Sequence, residues 1–149
     1  MSFQDELNTK LKEAMREKNT VALESLRAIK SAILLLQTQS GAKETPDDSE
    51  ITKLLQKLVK QRKESASIFR EQGRDDLAEP EEAQIEFISQ FLPEQLSVSA
   101  VEKVIDGVIE KVGATTIKDM GKVMGIANKQ LAGQSDGKLI AEIVKRRLG

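Results

Sequence analysis

Between Lys118 and Ile140 the chain reads KDMGKVMGIANKQLAGQSDGKLI, and this stretch holds four of its nine glycines together with four lysines. The apolar positions Ile117, Met120, Met124, Ala127 and Leu131 repeat three or four apart, which predicts a helix with those residues as its core stripe. Gly121 and Gly125 lie beside that stripe, four residues apart. A glycine inside a helix costs about 1 kcal/mol relative to alanine. Two of them therefore predict that something comes very close to the helix backbone. Packing against another helix of the same lobe is the first expectation, and approach by the backbone of a ligand is the second. Lys118, Lys122 and Lys129 share one flank of the same helix. Lysines beside an approachable backbone suit a phosphate-bearing partner.

Farther along, Gly133 has the position of a helix-closing residue, and Ser135 or Asp136 that of a cap for the last helix. Gly137 and Lys138 then fall in that helix's first turn, where backbone N–H groups are unpaired and the dipole is positive. Such a start can hold a phosphate or can simply be capped. The run GQSDGKL is not a nucleotide-binding P-loop: three residues separate the glycines, Leu139 follows the lysine, and no strand precedes it. The last helix ends in Lys145, Arg146 and Arg147, which complement its dipole.

Other chemistry is excluded by residue type. The chain has no Cys and no His, so thiolate nucleophiles, Cys-ligated metals and a Ser–His–Asp triad are ruled out. Carboxylates such as Glu79, Glu81, Glu82 and Glu86 have no partner that points to acid–base work. No catalytic residue, metal ligand or cofactor site is expected. With four Phe and no Trp or Tyr, base stacking of the kind used by single-strand binders is not expected either. Any nucleic acid would be held through phosphates and shape, as folded RNA is.

These residues need a helical scaffold. Hydrophobic residues make up 39% of the 149 and charged ones 32%, with only three prolines. Residues 1–95 carry 14 basic and 18 acidic side chains, a net −4, whereas residues 96–149 carry 9 and 6, a net +3. From Gly113 onward the balance is 7 to 3, or +4. The patterning predicts an all-α protein of seven helical segments. The first runs from Phe3 to near Lys18. The second starts after a cap at Asn19 or Thr20, and its AILLLQ end is expected to be buried from several sides. SGAKETPDD (Ser40–Asp48) reads as a loop. Ser49 is the expected cap of a long helix that ends at Gly73 and carries Lys53, Lys57, Lys60, Arg62 and Lys63 as a solvated basic face. Asp75 or Asp76 caps the fourth, in which Pro80 marks a new start or a kink. LPEQLS then reads as a linker. The expected division is a long-helix lobe over residues 1–92, a linker over 93–98 and a three-helix lobe over 99–149. Within the last, Ser99 is the expected cap of the first helix and Thr116 of the second.

The acidic, amphipathic start is unlike a signal peptide, and the longest apolar run, Ala32 to Leu36, is too short to span a membrane. A cytosolic monomer with no membrane partner is the resulting expectation.

The segments KQRKESASIF, GRDDLAEPEEAQIEFISQFLPEQLS, KDMGKVMG and GQSDGK together resemble the YqeY family, and the similarity runs in order from Phe3 to Leu148. Pro80 departs from the helix-compatible residue expected there. The resemblance implies an N-terminal helical hairpin lobe followed by a small three-helix C-terminal lobe similar to the tail of GatB, the B subunit of the tRNA-dependent amidotransferase. That tail contacts tRNA and is not where the chemistry occurs. Carried over, the RNA-contact candidates are Lys118, Gly121, Lys122, Gly125, Asp136, Gly137 and Lys138, beside Lys129 from the basic flank. The leading expectation is a non-catalytic protein that binds tRNA or another folded RNA. Next is a protein–protein adaptor in translation. Third is an accessory subunit in a carbon–nitrogen ligase reaction with glutamine as amido-N-donor, since family members are sometimes labelled so.

Overall fold

The computed structural model describes residues 2–39 and 46–149. Among them are seven α-helices: α1 (Phe3–Glu17), α2 (Thr20–Gln39), α3 (Asp48–Glu71), α4 (Asp75–Ser89), α5 (Val98–Val112), α6 (Met120–Gln130) and α7 (Gly137–Leu148). One 3-10 turn, Ile117–Asp119, precedes α6, and no strand is present among the described residues. The fold is all-α. The chain divides into two compact units, Met1–Leu92 and Pro93–Gly149.

In the first unit α1 begins with a capping box: Asp5 N–H donates to the Ser2 hydroxyl, and Ser2 N–H to the Asp5 carboxylate. Asn19 caps α2 by accepting from Ala22 N–H at 3.1 Å. Leu7 and Ala14 of α1, Leu26, Ile29 and Ile33 of α2, Ile51, Leu55 and Val59 of α3, and Ile88 of α4 form one buried core. Phe91 closes its edge with T-shaped contacts to Phe3 and Phe87 at 5.8 and 5.9 Å. Helices α3 and α4 form a hairpin whose turn uses Gly73 at φ 71°. Arg70 pairs with both Asp75 and Glu82 across the tip. Lower down, Arg62 donates to Gln84 and Gln84 to Glu24, linking α3, α4 and α2.

Several expectations are corrected here. The cap of α3 is Asp47, boxed with Glu50, rather than Ser49, and the helix begins at Asp48. A carboxylate accepts the donated N–H and also complements the helix dipole, which favours Asp47. Residues 40–45 of the expected loop lie outside the described residues. The AILLLQ end is not buried all round: Leu34 and Leu35 are 61% and 57% exposed. Residue type identifies an apolar surface but supplies no neighbour to cover it. Neither Asp75 nor Asp76 is the cap of α4; both lie in its first turn, Arg74 precedes it, and α4 continues through Pro80. Pro80 removes one backbone bond near the helix start. Ala78 and Ile88, both fully buried, hold the helix on either side.

In the second unit α5 is capped by Ser97, whose hydroxyl accepts from Ala100 N–H, rather than by Ser99. Val98 is therefore helical and the expected linker is shorter. Its residues are also anchored: Leu96 N–H donates to Gln134 O at 2.9 Å, and the Gln95 amide donates to the carbonyls of Pro93 and Gly133. Val101, Ile105 and Val108 of α5, Val123 and Ala127 of α6, Leu131, and Ile140, Ile143, Val144 and Leu148 of α7 make the core. Gly113 ends α5 at φ 67°.

Candidate nucleic-acid interface

The segment before α6 does not continue the helix in phase. The Asp119 carboxylate accepts from Thr115 N–H at 3.0 Å and Thr116 N–H at 3.3 Å, and the backbone makes a single 3-10 turn. Those two N–H groups, with the Lys122 charge nearby, hold the Asp119 carboxyl below the usual carboxylate range. The turn changes the register, so Ile117, expected in the core stripe, is 46% exposed. Val123 takes the core position instead, with Ala127 and Leu131, while Met120 and Met124 pack at its margin.

The burial of Val123 and Ala127 settles where the glycines face. At about 100° per residue, Gly121, Lys122, Gly125 and Lys129 fall within roughly one third of the helix circumference, opposite Val123 and Ala127. All four are exposed. A Cβ built at Gly121 or Gly125 meets no heavy atom within 4 Å. The expectation that another helix of the lobe packs on these glycines is thereby overturned. No close approach within the unit explains them, and the local helix would be more stable with alanine at both. Asn128 lies on the same outward face, a position the lysine and glycine pattern did not single out; its spacing of seven from Gly121 was the available signal.

Lys118, Lys122 and Lys129 flank the glycines, and none forms an ion pair among the described residues; Lys122 has only the nearby charge of Asp119. The arginines of α7 differ. Arg146 pairs with Glu102 at 3.1 Å, and Arg147 with Asp106 at 2.9 Å and Glu102 at 3.6 Å. These contacts tie α7 to α5 and remove both arginines from the free basic surface.

Asp136 is the cap of α7, with its carboxylate accepting from Lys138 N–H at 3.2 Å. The carboxylate occupies a donor that a phosphate would need and places a negative charge beside it. This helix start is therefore a capped one, with Gly137 and the Lys138 side chain exposed next to it. Gly133, at φ 76°, lies in the turn beyond α6, which ends at Gln130. In the first unit Lys53, Lys57 and Lys60 are exposed along α3, while Arg62 donates to Gln84 and to Leu58 O.

Among the described residues no group of three or more acidic, His or Cys side chains is placed to hold a metal ion, and no helix is long and apolar enough to cross a membrane.

The protein from Clavispora lusitaniae named altered inheritance of mitochondria protein 41, mitochondrial, is 34% identical over 125 residues, covering 84% of this chain and 71% of that protein. The protein of the same name from Pyrenophora tritici-repentis is 30% identical over 146 residues, covering 96% of this chain and 79% of that protein. That from Vanderwaltozyma polyspora is 30% identical over 122 residues, covering 76% and 64%. These relatives are named as mitochondrial, which overturns the expectation of a cytosolic protein. That expectation rested on the first residues being unlike a signal peptide and on the lack of an apolar span, and neither of these argues against a mitochondrial protein. The family model described as Yqey-like protein matches residues 4–148, reaching from the first turn of α1 to the last of α7 and including both the hairpin and the glycine–lysine helix. The chain belongs to the YqeY family.

Proposed function

We propose that the second unit is a non-catalytic RNA-binding module, with tRNA or another folded RNA as partner and the outward face of α6 as the contact. The observation that carries this reading is the pair Gly121 and Gly125, where an added Cβ would meet nothing within 4 Å, beside lysines that form no ion pair among the described residues. A sugar–phosphate backbone can approach the helix closely where side chains are missing, while Lys118, Lys122 and Lys129 neutralise phosphates on either side. Lys138 adds a further positive charge, and Asp136 serves as the cap that orders the helix start. The similarity of this lobe to the GatB tail supports the same reading. The first unit has no assigned contact in it.

Titration of the purified protein with total tRNA at several salt concentrations tests it. Each phosphate contact contributes roughly 0.7–0.9 to the slope of log K against log salt, so three or four lysines predict a slope of about −2 to −4. Binding with no salt dependence contradicts the proposal.

The second reading is a protein adaptor. Glycines four apart on an exposed face also let a partner helix approach closely. Capture of a defined protein after nuclease treatment, without a salt-sensitive RNA complex, puts this reading first.

A further inference from the structure

The first unit carries a groove unrelated to the glycine face. Gln4, Leu7 and Asn8 of α1 form one side, and Arg27, Lys30, Ser31, Leu34 and Gln37 of α2 form the other, enclosing about 550 Å³. Leu7 and Ile33 make a buried apolar floor, whereas Leu34 stands 61% exposed on the wall. From Arg27 to Gln37 the groove extends about 15 Å, or roughly three helical turns. Among the described residues no carboxylate lines it. Lys30 donates to Asn8 at 3.1 Å, and Arg27 has no hydrogen-bond or ion-pair partner among the described residues.

We propose that this groove docks an amphipathic helix of a partner protein, with leucine-like anchors against Leu7, Ile33 and Leu34 and acidic residues facing Arg27 and Lys30. A groove of this length, with apolar surface from Leu34 on the wall and from Leu7 and Ile33 beneath it, fits anchors at i, i+3 or i+4, and i+7 of a helix. Cations without an acid among the lining residues set the charge of the occupant. The same fact argues against a second copy of the chain. An isologous contact brings Arg27 and Lys30 of both copies into one interface, with no carboxylate among the described lining residues to offset them.

The test is a display library of helix-forming peptides of about 15 residues, with Leu fixed at the anchor spacing and Glu, Lys or Gln varied at the flanks. It is selected against the full-length protein and against its Arg27→Glu, Lys30→Glu variant. Acidic flanks are expected to dominate the wild-type selection. The best peptide, followed by fluorescence anisotropy, is expected to bind the double variant roughly tenfold more weakly. Leu34→Asn is expected to weaken it several-fold as well. The substituted side chains are all exposed, and an unchanged circular dichroism spectrum separates lost binding from lost fold. Neutral or basic flanks, equal enrichment on the double variant, or no enrichment on either protein overturns the proposal. A dimer in sedimentation that Leu34→Glu abolishes also overturns it, by giving the face to a second copy.

Discussion

Two basic surfaces of the second unit differ in what neutralises them. On the α5–α7 side, Arg146 and Arg147 are matched by Glu102 and Asp106. On the outward face of α6 and in the turn before it, Lys122, Lys129 and Lys118 have no ion-pair partner among the described residues, and a Cβ at Gly121 or Gly125 would meet no neighbour within 4 Å. The difference teaches that a count of positive charges does not locate a binding surface. The arginines serve the unit's own packing, and the lysines have no such use among the described residues.

The largest expected effect comes from reversing the unpaired charges. Lys118→Glu, Lys122→Glu, Lys129→Glu together should lower tRNA affinity roughly a hundredfold at low salt and flatten the salt slope. Arg146→Gln should leave both nearly unchanged. Equal losses from the two variants, read by filter binding, erase the distinction between the surfaces.

The glycines give the next effect, and it has the opposite sign for stability. Gly121→Ala with Gly125→Ala should stabilise the second unit by about 1–2 kcal/mol in denaturant melts, because the added methyls meet no neighbour. Larger residues at the same positions, such as Gln, should weaken tRNA binding by about tenfold while the fold remains intact. Destabilisation by alanine, measured the same way, means that the face is covered within the protein.

Acid sharpens the comparison further. The N–H groups of Thr115 and Thr116 hold the Asp119 carboxyl below its ordinary range. With the folded pKa below the unfolded one, its contribution is complete above the unfolded carboxylate value of about 4 and is lost as pH falls through the folded value. Stability should therefore fall more steeply below about pH 4 in the wild type than in Asp119→Asn.

The smallest effect belongs to the paired side. Arg147→Ala removes partly exposed ion pairs and should cost about 0.3–1 kcal/mol in the thermal or denaturant midpoint, with no change in RNA binding.

Much of this was legible beforehand, and the failures are specific. Helix number, the hairpin turn at Gly73 and the αL closure at Gly113 follow from local periodicity and from the freedom of glycine at positive φ. The caps of α3 and α5 lie two residues before the expected ones because several small polar residues compete in each case, and only backbone geometry chooses between them. Leu34 and Leu35 depart from the expected burial because hydrophobicity does not say whether a neighbour exists.

For the candidate site, residue identities alone determined that lysines and glycines share one basic helical segment and that thiol, imidazole and metal–cysteine chemistry are absent. Only the tertiary structure decided which way that segment faces. A single 3-10 turn, held by Asp119 on two backbone N–H groups, takes Ile117 out of the stripe, while packing against α5 and α7 buries Val123. The same packing turns Gly121 and Gly125 to solvent. Orientation about a helix axis is set by which side chains find buried partners, and those partners, in α5 and α7, lie far away in the chain.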